Sequence, residues 1–225
     1  MNFKQCNSTN YKSGRTSDIK YIVIHYTANN GDTASGNANY FANNKNLSAS
    51  AHYFVDENTV WQSVRDTDTA WHCGAKSYKH SYCRNSNSIG IELCSRKDGN
   101  GNYYFRDETV KNAAELTKSL MVKYNIPAAN VIRHYDVTGK ACPAPMVNDV
   151  SLWNEFKNAI SAKNSSSPAV KVETGNDIIW ELMNGKYKIE ISDVKRAVTA
   201  LDNAKTSEEF LSLYWILYKI VNGNG

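Results

Sequence analysis

The chain has 225 residues, of which 41% are hydrophobic and 21% charged, with a formal net charge of +4. These proportions exclude a collagen-like or largely disordered chain, and no run approaches the ~20 apolar residues needed to cross a bilayer. The mild positive charge suits a negatively charged polymer as partner. It lacks the dense Lys/Arg clustering of nucleic-acid binders, so no nucleic-acid partner is expected.

In chain order, residues 1–20 are polar and lack an apolar core of signal-peptide length, so no cleaved signal is predicted. Residues 19–25 form a largely β-branched apolar run, read as a buried strand ending on His25. Residues 33–43 are read as a short helix, and 51–56 and 60–64 as a hairpin turning at Asp56–Glu57–Asn58. Residues 88–94 are a further apolar strand. If its side chains alternate, Ile89 and Ile91 share one face while Ser88, Gly90 and Glu92 share the other. Val110, Ala113, Ala114, Thr117, Leu120, Met121 and Tyr124 recur at helical spacing until Pro127 stops them. Residues 131–133 are a brief strand leading into a loop, and Trp153, Phe156 and Ile160 mark a last helix. Strands and helices mixed in this order predict an α/β domain with a mixed central sheet flanked by helices.

Residues 162–168 (Ala-Lys-Asn-Ser-Ser-Ser-Pro) cannot bury a hydrophobic face and read as a linker. The charge balance changes across them: residues 1–163 hold 19 Lys and Arg against 14 Asp and Glu, residues 173–225 only 6 against 8. The expected division is a domain at 1–163, a linker at 164–172 and a small all-α three-helix C-terminal domain at 173–225. Its third helix opens on the capping-box pattern Thr206-x-x-Glu209. About 50 residues is near the lower limit for an independent core, which makes a homodimer through these helices one expected use of them.

The five cysteines (Cys6, Cys73, Cys83, Cys94, Cys142) include no Cys-x-x-Cys pair, so zinc ribbons and thioredoxin-like motifs are excluded in their usual form. The odd count leaves at least one thiol free, and spacing leaves open whether Cys73 and Cys83 pair. His25 ends one strand and His134 ends another. Cys142 follows His134 by eight residues across a loop that holds Gly139 and Pro143. Two imidazoles and a thiolate are donors that Zn²⁺ accepts, with a fourth position left for water. Taken singly, each residue is equally explained as a packed core side chain.

The wording of five blocks adds to that spacing. Ile24-His-Tyr-Thr-Ala28, Ser50-Ala-His-Tyr-Phe54, Ala70-Trp-His-Cys-Gly74, Asn87-Ser-Ile-Gly-Ile-Glu-Leu93 and Arg133-His-Tyr-Asp through Cys142-Pro occur in one order. Over residues 18–160 the chain resembles the zinc-dependent N-acetylmuramoyl-L-alanine amidases of the type-2 class, related to peptidoglycan recognition proteins. It looks most like endolysins of phages infecting Gram-positive bacteria. The resemblance implies Zn²⁺ held by His25, His134 and Cys142, Glu92 as the acidic catalytic residue, and Lys140 beside the metal. It implies bacterial peptidoglycan as partner and cleavage between N-acetylmuramic acid and L-alanine. The destination it implies is the host cytoplasm until lysis, then the cell wall, with residues 173–225 binding that wall. Several relatives carry a tyrosine where this chain has Ala51 before His52, and Glu92 is taken to fill its role. Trp71, His72 and Asn30 are expected substrate contacts, Asp136 either an orienter of a ligand histidine or a cap of its own loop, and His52 structural. The competing function is a peptidoglycan-binding protein of the same fold without catalysis; non-lytic relatives typically lack the thiolate that Cys142 supplies here.

Overall fold

The computed structural model describes residues 1–161; the linker and the three expected C-terminal helices lie outside the described residues. A compact unit spans Met1–Ala162. Its strands are β1 (Asn2–Phe3), β2 (Tyr11–Lys12), β3 (Tyr21–Tyr26), β4 (Tyr53–Val55), β5 (Val60–Gln62), β6 (Thr69–Ala70), β7 (Ser88–Leu93), β8 (Arg96–Lys97), β9 (Tyr103–Tyr104) and β10 (Val131–Arg133). Its α-helices are α1 (Ala34–Asn43), α2 (Asp107–Lys123), α3 (His134–Thr138), α4 (Ala144–Asn148) and α5 (Val150–Ser161).

Six strands form one sheet in the order β1-β5-β4-β7-β3-β10. Only β4 and β5 pair antiparallel, as the expected hairpin; the other four pairings are parallel. The sheet is therefore mixed, and its central strands β3 and β7 are largely buried on both faces, which suits the β-branched run of β3. Two-residue pairings of β2 with β6 and β8 with β9 complete the strands. They are too short to leave an alternating pattern in the sequence.

Alternation along β3 and β7 divides the molecule. Ile22, Ile24, Ile89, Ile91 and Leu93 enter the main core, where they meet Ala113, Ala114 and Leu120 of α2 and Trp153, Phe156 and Ile160 of α5. Asp107 and Glu108 begin α2 and Lys123 ends it, each sign matched to its end of the helix dipole. On the other face, Phe54 packs with Ala34 and Ala38 of α1, and Val23 packs with Cys73, Cys83 and Val137. Thr33 caps α1 by accepting a bond from Gly36 N–H at 3.0 Å, so the helix proper begins one residue later than the pattern predicts. All five cysteines are buried and free, Cys73 and Cys83 included.

Candidate active site

On this second face, the parallel register sets His25 of β3 directly beside Glu92 of β7. His25 is 1% exposed, and its Nδ1 lies 3.9 Å from Glu92 Oε1. The expected alternation in β7 holds: Ile89 and Ile91 face the core, while Ser88 contacts the groove residue His72 and a side chain on Gly90 would strike it. Glu92 lines the groove itself.

The second histidine arrives differently from the sequence reading. β10 leads into a helical turn, not directly into a loop, and His134 is the first residue of α3. Asp136 accepts from the Arg133 backbone N–H at 2.9 Å and from that guanidinium at 2.9 and 3.1 Å, which caps the turn. Both Asp136 oxygens are thereby engaged by Arg133, so of its two expected roles the structure displays the cap and no bond to a histidine. Gly139, at φ +85°, ends α3 in the left-handed conformation that glycine adopts without strain. The chain then doubles back, and Tyr135 N–H donates to Cys142 O at 2.8 Å.

This return brings three donors together. One ligand atom from each of His25, His134 and Cys142 lies within 4.8 Å of the other two, and all three residues are buried. Cys142 Sγ is 3.7 Å from His25 Nδ1. Burial drives the His25 imidazole well below its ordinary pKa and lowers His134 to about 4, so both rings are neutral at pH 7, the form that binds metals. Burial, reinforced by the Glu92 carboxylate, pushes the Cys142 thiol up to about 12. Such a thiol becomes a thiolate at neutral pH only when a cation shares the site. The donor set thus fits a divalent ion with a taste for nitrogen and sulfur.

A groove of about 690 Å³ opens over these donors. Glu92 borders it with one oxygen, Oε2, buried and without a hydrogen-bond partner among the described residues. Burial raises the Glu92 carboxyl to about 8, against the opposing pull of the Lys140 ammonium. Lys140 itself is exposed and lines the groove. Trp71 lines it as well. Asn30 does not: it is exposed, and its Oδ1 accepts from Lys97 N–H at 2.9 Å, tying two loops together. Its neighbour Asn29 borders the groove instead, as do Asp32 and Tyr40. Tyr40 is 53% exposed on α1. Its signal in the sequence was an aromatic on the polar side of a short helix.

His72 borders the groove but spends both ring nitrogens inside the protein. Its Nδ1 is 3.0 Å from His25 Nε2 and its Nε2 is 3.1 Å from Ser88 Oγ. His72 thus lines the groove as expected, with its two ring nitrogens engaged by His25 and Ser88. His52 is fully buried; its Nδ1 accepts from Gly90 N–H at 3.0 Å and its Nε2 meets Arg15 Nη2 at 2.6 Å, the structural role expected of it. Ala51, just before His52, lines the groove with nothing but a methyl group.

The profile of the N-acetylmuramoyl-L-alanine amidase family, Amidase_2, matches residues 15–145, the segment that holds every donor just described. The chain belongs to this family. It is 35% identical over 169 residues to the N-acetylmuramoyl-L-alanine amidase CwlL of Bacillus licheniformis, covering 72% of this chain and 46% of that one. It is 34% identical over 195 residues to the amidase BlyA of Bacillus subtilis, covering 79% and 52%. The chain therefore spans about half the length of the curated relatives it matches. Among solved structures, the catalytic domain of XlyA superposes with a TM-score of 0.58 at 31% identity, covering 71% of this chain and 99% of that one. The fold is thus common to a relative described as a catalytic domain.

Proposed function

We propose that residues 1–163 form a zinc-dependent peptidoglycan amidase that hydrolyses the amide joining N-acetylmuramic acid to L-alanine of the stem peptide. The observation that carries this reading is the convergence of His25, His134 and Cys142 at the base of a groove beside Glu92, in a chain of the amidase family. His25, His134 and Cys142 would hold the ion. Zinc supplies Lewis acidity there, lowering the pKa of water to roughly 7 and polarising an amide carbonyl.

The remaining work falls to the chain. Glu92 is held at the groove by its strand, and one of its oxygens has no partner among the described residues. It takes a proton from the attacking water and delivers it to the departing L-alanine nitrogen. Its pKa, raised by burial, keeps the carboxyl near the working pH, where proton acceptance and return are both efficient. The Lys140 ammonium at the groove interacts more strongly with the anion that grows on the amide oxygen than with the neutral carbonyl, and so lowers the barrier. Trp71 and Tyr40 offer flat apolar surface to sugar or peptide.

Incubating the protein with purified cell walls should release new L-alanine amino termini, with one zinc per chain by elemental analysis. Stoichiometric zinc without new termini would support the binding protein; absence of both would remove the metal reading. For residues 173–225, beyond the described residues, we propose wall binding, with residues 164–172 as the linker. A fluorescent protein fused to 165–225 should decorate walls, and a failure to do so overturns that assignment.

A further inference from the structure

We propose that His72 is a positioning residue for the metal site: with Ser88 behind it, His72 holds His25 in the tautomer whose Nδ1 is free to ligate. This inference rests on the reading of His25 as a ligand. It joins two sequence blocks, the one around Trp71–His72 and the one opening β7, that the motifs presented as separate.

The direction of each bond follows from the far end of the chain of contacts. The Ser88 hydroxyl donates to the backbone carbonyl of Arg84 at 2.7 Å. A carbonyl can only accept, so the one proton of that hydroxyl is committed; the other neighbour, Cys73 Sγ, is 3.8 Å away and competes poorly. Ser88 Oγ therefore accepts from His72, which must carry its proton on Nε2. A neutral imidazole has one donor and one acceptor nitrogen, so His72 Nδ1 accepts from His25 Nε2–H at 3.0 Å. That leaves the His25 lone pair on Nδ1, the atom facing Cys142 Sγ and Glu92 Oε1.

The His72 ring is fixed by more than these bonds. A Cβ on Gly90 would lie 2.5 Å from His72 Cγ, so the absence of a side chain there is what admits the ring. His25 and His52 stand edge-on to it at centroid distances of 5.1 and 5.6 Å. The backbone N–H groups of His72 and Cys73 both donate to Asn85 Oδ1, at 3.2 and 2.8 Å. Metal-bound histidines usually place their second N–H on a carboxylate, carbonyl or water. Here the partner is another imidazole, whose acceptor nitrogen is itself dictated by a serine tied to the main chain.

The test is zinc affinity by chelator competition, together with the visible spectrum of the cobalt-substituted protein, for wild type, His72→Leu, His72→Asn and Ser88→Ala, each checked for folding by circular dichroism. His72→Leu should weaken zinc about 10–100-fold and shift the cobalt bands. His72→Asn, whose Oδ1 reaches the place of Nδ1, should recover most of that affinity, and Ser88→Ala should fall between. A folded His72→Leu with wild-type affinity and spectrum overturns the proposal, as does an Asn variant no better than Leu. If His72→Leu does not fold, wild-type zinc affinity in Ser88→Ala overturns it instead. Wild type without stoichiometric zinc would sink the ligand assignment itself, a result distinct from any of these.

Discussion

His25 and Glu92 occupy paired positions on two adjacent parallel strands, with their side chains on the same face of the sheet and 3.9 Å between Nδ1 and Oε1. The separation of a candidate metal ligand from a candidate proton carrier is therefore set by β-sheet register, in two largely buried strands. A one-residue slip of either strand would send one of the two into the apolar core.

From this pairing, Glu92→Gln should reduce turnover on purified walls by about 10²–10⁴-fold, the range for losing a general base. Zinc content should remain at one per chain, because the amide neither supplies nor removes a donor. A loss of less than tenfold, read from released amino termini, would take Glu92 out of the proton-carrying role.

Removal of the metal should be visible in stability. A ligand present at 100 times its Kd stabilises by about 2.7 kcal/mol, which for a domain of this size corresponds to roughly 5–10 °C in Tm. Addition of a chelator to the wild type should lower Tm by that order. Cys142→Ser should start near the lower value and respond little to chelator. Equal chelator responses in the two proteins would exclude Cys142 as a donor.

Acid should destabilise the metal-free protein before it protonates most carboxylates. Burial depresses His25, His52 and His134, the last to about 4. Between the ordinary histidine value of about 6.5 and these lowered values, the unfolded chain binds more protons than the folded one. Stability from these three groups is therefore full above pH 6.5 and is lost as pH falls toward 4. Thermal melts in chelator at half-unit pH steps should show Tm dropping across that window; a flat profile would show that the rings protonate freely in the fold.

A fourth expectation concerns a site remote from the chemistry. Asp66, 6% exposed, accepts from Tyr53 Oη at 2.7 Å, Tyr124 Oη at 2.7 Å, Gln62 Nε2 at 3.1 Å and Lys123 Nζ at 3.0 Å. Asp66→Ala removes the shared acceptor of the buried Tyr53 hydroxyl and its neighbours and should cost roughly 1–3 kcal/mol in urea unfolding. Zinc stoichiometry should be unchanged. A cost below 0.5 kcal/mol would mean that water replaces the carboxylate.

Much of this organisation was legible in the sequence where periodicity is strong. The β-branched run of β3, the alternation of β7 and the 3–4 spacing of α2 each declare which side is buried, and the structure agrees. The donors His25, His134 and Cys142 were legible as a set only through the order of the motifs, since each residue alone has an ordinary packing explanation. What escaped were relationships that depend on neighbours distant in the chain. Asn30 and His72 sit in polar or aromatic blocks that suggest ligand contact, and the sequence gives no sign that Asn30 Oδ1 meets Lys97 N–H or that His72 bridges His25 and Ser88. The helical turn at His134 was missed although its signals were present: an aspartate at the third helical position and a glycine just past the end. Five residues are too few for a periodic pattern to reveal.

The five buried thiols are all unbridged. No covalent strap holds this domain together, so its scaffold should carry the same stability in a glutathione-rich interior as in an aerated medium. If Cys142 is the metal donor proposed above, peroxide that converted its sulfur to an oxyacid would cost the site that donor without cutting any covalent link in the scaffold.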